Sequence, residues 1–485
     1  MKKRVFALCL MAAMLIGMMG LAGCGTEPTT PSAPQVVVPE TGFDVNEPVT
    51  ITFGHTMGQA SMAIVDKYIK EFNEIYPNIT VEHMNKGGWG DINGTINTEI
   101  NGGTQPNIVY CYPDHVAMYN LAKSVVTLDS MINSQVAIEG TNQIIGLTEA
   151  ERADFVETYY NEGTVFGDGL MYTMPLSKST EILFYDKDFF TENNLTVPTT
   201  WAELWDVCEK IKAIDPTCIP LGYDSEANWF ITMCEQMKAG YTDASKGPGN
   251  YFEFDNEQTR AFVTELRGYY EKGYFTTQEL YGNFTSGLFI NQDPTKARSY
   301  MCIGSSGGTR HQTPKTTDED GNTTYAFEVG IAPIPQYDMN NKKAISQGPS
   351  VCILKGKDTT DQQIIASWLF VKFMCTNVGF QAEFSMDSGY MPVLKSVTEH
   401  SVYANWLASA NGFDKLNAQA VKVGIEARDT YYVSDAFNGS SAARNQVGYL
   451  LVKCISSKLD NGVSLEQFIK NAFEDAMDEC LFQAG

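Results

Sequence analysis

Trp89 and Trp229 each stand beside residues that favour loops, the first behind Gly87-Gly88 and the second behind Asp224-Ser225. An indole held in a loop can lie against the C–H face of a polyhydroxylated ligand, while the same ring inside an element is core. Both readings stand for each ring. Asp114, just past the apolar run 108–112, has the two acceptor oxygens that paired hydroxyls need, or is a solvated turn residue. Ser305-Ser306-Gly307-Gly308-Thr309 follows another apolar run, 300–303. Its hydroxyls and N–H groups can meet a phosphate or a sugar oxygen, or simply cap a helix.

Reaction chemistry is harder to find. Gly304-Ser305-Ser306-Gly307-Gly308 has the G-x-S-x-G spacing of a hydrolase nucleophile elbow, with Ser306 at its centre and His400 downstream. No second motif supplies an oxyanion loop or an ordered acid, and phosphate-loop, zinc-protease and dinucleotide patterns are missing from the sequence. A glycoside hydrolase needs two carboxylates in one pocket, and 58 acidic residues offer no way to choose the pair. The expectation is binding without catalysis, and with no cofactor or metal.

The elements that must position these residues alternate between strand and helix. Val49, Ile51 and Phe53 have strand periodicity, and Met62, Val65, Ile69, Phe72 and Tyr76 have helix periodicity up to the breaker Pro77. Ile79, Val81 and His83 then alternate, 91–100 suits a second helix, and 108–112 a third strand. Such alternation predicts an α/β sheet with its ligand-facing loops at the strand ends. Further on, 170–175, 181–185 and 300–303 read as strands, and 317–327 as a hairpin turning at Asp320-Gly321. Thr200 and Glu203 have capping-box spacing ahead of a helix that makes Trp201 and Trp205 core. Ile364, Ile365, Trp368, Leu369 and Phe373 give a helix over 361–376 an apolar face.

The N-terminus reads as an export signal. Lys2, Lys3 and Arg4 precede an apolar stretch, 5–19, too short to span a membrane, and Leu21-Ala22-Gly23-Cys24 forms a lipobox. Residues 1–23 are thus expected to be a lipoprotein signal peptide and Cys24 the lipid-modified residue, placing the protein on the extracytoplasmic face of the cell membrane. The Pro- and Thr-rich stretch 24–47 reads as a tether that buries no core. Loss of the three signal cations leaves 31 Lys and Arg against 58 Asp and Glu, a net −27, which excludes nucleic acid as a partner. The nine cysteines beyond Cys24 stand singly, without the paired spacing of a disulfide framework or zinc site, and Cys111 and Cys302 read as small buried hydrophobes.

Several segments, taken together in their order and spacing, resemble family 1 extracellular solute-binding proteins, the group that includes maltodextrin-binding and glycerol-3-phosphate-binding proteins. They are Tyr172-Thr173-Met174-Pro175, then Leu183 to Phe190, then Pro198-Thr199-Thr200-Trp201, then Trp368 to Phe373 followed by Ser388-Gly389-Tyr390-Met391-Pro392-Val393. The resemblance implies an α/β, two-lobed, periplasmic-binding-protein-like fold, each lobe a mixed sheet flanked by helices, with three hinge crossings. Lobe 1 would be 48–178 and 302–347, and lobe 2 179–300 and 350–485, with crossings near 177–181, 299–303 and 347–351. It further implies a monomer that captures a small ligand, a sugar or a glycerol phosphate, for the permease subunits of an ABC importer. Carried over from the glycerol-3-phosphate branch, the contact positions are Trp89, Ser179, Ser305, Gly348, Tyr390 and Arg444. Trp89 stands where that branch has a tyrosine and Pro113 where it has a glutamate, with Asp114 adjacent. The Arg444 guanidinium would fork onto a phosphate, a carboxylate or vicinal hydroxyls, or else form a structural ion pair.

Overall fold

A computed structural model of the chain describes residues 36, 38–39, 43–247, 249–412, 415–459 and 461–484. The signal segment, Cys24 and most of the stretch called a tether lie outside them. Fourteen strands occur among the described residues: β1 Val49–His55, β2 Ile79–Asn85, β3 Ile108–Cys111, β4 Met174–Pro175, β5 Glu181–Asp186, β6 Leu221–Tyr223, β7 Phe275–Thr277, β8 Met301–Ser305, β9 Lys315–Thr317, β10 Thr323–Tyr325, β11 Val329–Pro333, β12 Ala344–Ile345, β13 Ser350–Ile353 and β14 Tyr431–Tyr432. Two five-stranded mixed sheets carry the fold, ordered β2-β1-β3-β13-β4 and β11-β5-β8-β6-β7. In the first, β1 runs parallel to β2 and β3 while β13 is antiparallel to β3 and β4. In the second, β6 is parallel to β7 and β8, and β5 is antiparallel to β8 and β11.

Strand pairing overturns part of the expected division. Residues 301–305 and 329–333, assigned from sequence to lobe 1, are β8 and β11 of the second sheet. Residues 350–353, assigned to lobe 2, are β13 of the first sheet, and the helix Asp361–Thr376 packs on β1. The chain does not change sheets at 299–303. It passes across between β4 and β5, returns between β11 and β13, and crosses a third time beyond the helix Val378–Ser388. Apolar periodicity carries no record of which sheet a strand joins, so a boundary drawn from it can be off by a whole segment.

The crossing segments lie side by side. Ser179 and Gln347 exchange backbone hydrogen bonds of 2.7 and 3.0 Å, and Lys178 and Met391 exchange bonds of 3.0 and 2.6 Å. Beneath them Lys178, fully buried, donates through Nζ to Glu162 Oε1 at 2.5 Å, Ser350 Oγ at 3.1 Å and Gly348 O at 3.2 Å. All three ammonium donors are used. A buried ion pair satisfied in this way fixes where the strands meet.

Local signals in the sequence act as expected. Thr200 Oγ1 accepts from Glu203 N at 3.2 Å and Glu203 Oε2 accepts from Thr200 N at 3.1 Å, closing the capping box. Trp201 and Trp205 are buried, β9 and β10 form the hairpin, and Cys111, Cys302 and the seven other described cysteines are buried free thiols. One further correction concerns the tether: Val36 and Phe43 are buried in the core, and Val36 O accepts from Ser130 Oγ at 2.6 Å. Apolar residues spaced among prolines can still dock on an existing surface. Among the described residues no single helix is long and apolar enough to cross a membrane, and no group of three or more His, Cys, Asp or Glu could hold a metal ion.

Candidate functional site

Loops that follow β1, β2 and β3 face loops that follow β6 and β8 across a cavity of about 870 Å³. Parallel strands end there, so helices begin there, and helix starts leave backbone N–H groups free. One wall belongs to the first sheet. Its Gly88 caps the helix Trp89–Gly102, Asp91 Oδ2 accepts from Gly88 N at 3.0 Å, and Gly87 has φ +93°, a turn that favours glycine. Trp89 is therefore the first residue of a helix rather than part of a loop. It remains half-buried on the cavity wall, with its ring centroid 4.5 Å from Tyr112 and 5.4 Å from Tyr110. Tyr390, beyond the left-handed Gly389 that ends the helix Val378–Ser388, hydrogen-bonds Trp89 and completes an aromatic cluster.

The other wall is polar. The helix Glu226–Met237 is capped by Ser225, and its first turn presents Asn228 to the cavity. Asn228 Nδ2 donates to Glu181 Oε1 and Gln347 Oε1, both at 2.9 Å, while its Oδ1 accepts from Arg444 Nη2. Arg444 lies in the second turn of the helix Ser440–Ser456. Glu181, almost fully buried, also accepts from Tyr223 OH at 2.6 Å. Burial pushes its carboxyl up to about 7, against Tyr223, Asn228 and Arg444, which pull it down. Burial also holds His115 below its ordinary range, with Arg444 adding to the effect and Asp114 opposing it. Ser441 Oγ reaches Asp114 Oδ2 at 3.3 Å, joining the helix Pro113–Asn120 to the helix Ser440–Ser456.

Of the residues singled out from sequence, Trp89, Asp114, Ser305, Gly348, Tyr390 and Arg444 line this one cavity. Gly348 has φ +95°, and a Cβ there would lie 2.6 Å from Ser179 N, so the close crossing requires glycine. Three others do not line it. Trp229 is fully buried and stacks on Tyr223 at 4.5 Å with an angle of 7°, because it sits about 100° round the helix from Asn228. Ser179 is buried in the hinge, its backbone spent on Gln347. Ser306 is fully buried, and its Oγ accepts from Thr180 N at 3.2 Å, so the G-x-S-x-G serine turns away from the cavity while Ser305 faces it.

Sequence reading missed Tyr112, Glu181, Asn228 and Gln347. For Glu181 and Asn228 a signal existed: an acid opens the apolar strand β5, and an amide occupies the first turn of a helix behind β6. Tyr112 ends the apolar run 108–112 at a loop expected to face the ligand and Gln347 opens the crossing expected at 347–351, but neither side chain could be singled out as a contact, since its direction comes from tertiary packing.

The likeness to known proteins agrees with this geometry. The sn-glycerol-3-phosphate-binding periplasmic protein UgpB of Escherichia coli strain K12 is 25% identical over 362 residues, covering 72% of this chain and 75% of that protein. UgpB of Salmonella typhimurium is 24% identical over 360 residues, with the same coverage. Among solved structures, the GacH receptor of Streptomyces glaucescens, studied unliganded and with acarbose, has a TM-score of 0.66 at 16% identity, covering 90% of this chain and 98% of that one. UgpB from Mycobacterium tuberculosis, in complex with glycerophosphocholine, also reaches 0.66, at 17% identity, covering 88% and 97%. The shared architecture is the periplasmic-binding-protein-like fold. Residues 67–411, most of the chain, match a single family, and the chain belongs to the bacterial extracellular solute-binding proteins.

Proposed function

We propose that this chain is the extracytoplasmic solute-binding component of an ABC importer, and that it captures a carbohydrate in the cavity between its two sheets by closure about the hinge. The observation that carries the reading is the pairing of one aromatic wall, Trp89, Tyr112 and Tyr390, with a facing wall of amide, hydroxyl and guanidinium groups. Rings pack on sugar C–H faces while the polar wall exchanges hydrogen bonds with hydroxyls. Because the two walls come from different sheets, a ligand that touches both binds the closed form better than the open one, which is what drives closure. Cys24, once acylated, would hold the protein at the membrane as a monomer beside the permease subunits. The ligand leaves as it entered, without catalysis.

A thermal-shift screen over sugars and glycerol phosphates, followed by calorimetry, tests the reading. A neutral oligosaccharide should raise the melting temperature and be recovered unaltered; a screen in which no sugar binds, or one in which bound sugar is cleaved, counts against it. The second reading, glycerol 3-phosphate or a glycerophosphodiester, draws on Arg444 in the cavity and on the UgpB relatives. Arg444→Ala should abolish binding of a phosphorylated ligand, whereas a neutral sugar should lose more through Trp89→Ala. A surface esterase would need Ser306 as its nucleophile, but that hydroxyl is buried; Ser306→Ala would then have to abolish ester hydrolysis.

A further inference from the structure

Arg444 lacks an ion-pair partner among the described residues, yet it is not isolated from charge. Its guanidinium can only donate, an ionised carboxylate can only accept, and Asn228 stands between Arg444 and Glu181 with its amide oxygen toward the first and its amide nitrogen toward the second. Asn228 is held in that orientation by Gln347, so the amide dipole lies along the line from cation to anion. The cavity's other carboxylates are engaged elsewhere: Glu162 by Lys178 at 2.5 Å, Asp224 by Thr285 Oγ1 at 2.6 Å, Asp435 by Ala244 N at 2.8 Å and Asp114 by Ser441. Arg310 is a second cation on the cavity wall, and of the carboxylates there only Glu181 is joined to Arg444, through Asn228.

We propose that Glu181 is a specificity-determining residue: through Asn228 its carboxylate balances Arg444 and keeps the cleft selective for uncharged ligands, and removing that charge opens the cleft to anions. This deepens the binding reading above and rests on it. A buried carboxylate close to a guanidinium offsets most of the attraction that an incoming anion would feel, because little water is present to screen either charge. The groups that face Glu181 are Tyr223 and Asp224 at the end of β6, Asn228 on the helix behind it, Tyr432 of β14, Arg444, and Ser305 opposite in register on β8. Among these only Asp224 adds a second acid, and its carboxylate already accepts from the Thr285 hydroxyl and backbone N–H.

Sulfate is the appropriate probe, because unlike phosphate it does not change charge near neutrality. In calorimetric titrations of the mature protein at pH 8.5, Glu181→Gln should bind sulfate at least tenfold more tightly than wild type. Adding Arg444→Gln to that variant should remove the gain. Between pH 8.5 and pH 5.5 the wild-type gain should exceed that of Glu181→Gln at least tenfold, since any charge acquired by His115 and His311 on the cavity wall is common to both proteins. Equal affinity of wild type and Glu181→Gln at pH 8.5, shared absence of binding included, overturns the proposal, as does a gain that survives loss of Arg444. Should Glu181→Gln not fold, the comparison of wild type with Arg444→Gln across the two pH values decides alone: an unchanged wild-type affinity, or a wild-type gain no larger than that of Arg444→Gln, defeats the idea. A neutral oligosaccharide titrated into the same samples keeps the two questions apart, since failure with sugar counts against the carrier reading and failure with sulfate against the role of Glu181.

Discussion

Asn228 and Trp229 are neighbours in the chain and turn in opposite directions, one into the cavity and one into the core, because successive helix residues are about 100° apart. The two tryptophans singled out from sequence should therefore behave differently. Trp229→Ala should cost about 3–5 kcal/mol of stability, read as a shift in urea midpoint, by emptying a stack that includes Tyr223 and Trp201. Trp89→Ala should leave the midpoint nearly unchanged and weaken sugar binding about tenfold, measured by calorimetry. Reversed outcomes would mean that the aromatic wall is structural. Glu181 adds a pH term. Its folded-state carboxyl titrates near 7 against an ordinary 4.5, so the folded protein holds a proton that the unfolded chain gives up. Stability from this group is complete below about pH 4.5 and is lost as pH rises through 7. Glu181→Gln should accordingly exceed wild type in urea midpoint at pH 8 and match it near pH 4.5.

The elements that matter most are the three crossing segments and the caps that start the site helices. Lys178→Met should cost about 3–5 kcal/mol, because Glu162 would remain buried without its cation, and a double change of Lys178 and Glu162 to apolar residues should recover much of that loss in the same denaturation assay. Lys178 was not legible as a buried residue, since nothing in a Ser-Lys-Ser triplet distinguishes it from a surface loop. The capping box at Thr200 and Glu203 was legible, because all of its parts lie within four residues. So was the helix Asp361–Thr376, whose Thr360 and Gln363 cap one another over apolar residues of helical spacing. Ser305 and Ser306 show the boundary between the two cases. Their types announced a site, but only the bond from Thr180 to Ser306 decides which hydroxyl is available.

For the whole molecule, ligand closure is the property to measure. Small-angle scattering of the mature protein should show a smaller radius of gyration when a sugar that binds by calorimetry is added, and an unchanged profile at saturation would argue against hinge closure. The contact between Asp114 and Ser441 spans two helices on opposite sides of the cavity, so it should strengthen or break with that movement. Net charge acts at the same scale. A strongly acidic surface repels anions over about a Debye length, so the selectivity assigned to Glu181 works in the same direction as the long-range field, and raising salt should weaken the field more than the buried pair.

Strand and helix periodicity, caps, turn residues and the lipobox are local or compositional, and the sequence determined them by itself, together with the α/β class and six of the positions that line the cavity. Which sheet received β8, β11 and β13, the docking of Val36 and Phe43, and the burial of Trp229, Ser179 and Ser306 were decided by the tertiary structure alone. Each depends on pairing or packing between segments tens to hundreds of residues apart. The chain writes down what each segment can form, while the partner it finds is fixed only when all of them compete for the same core.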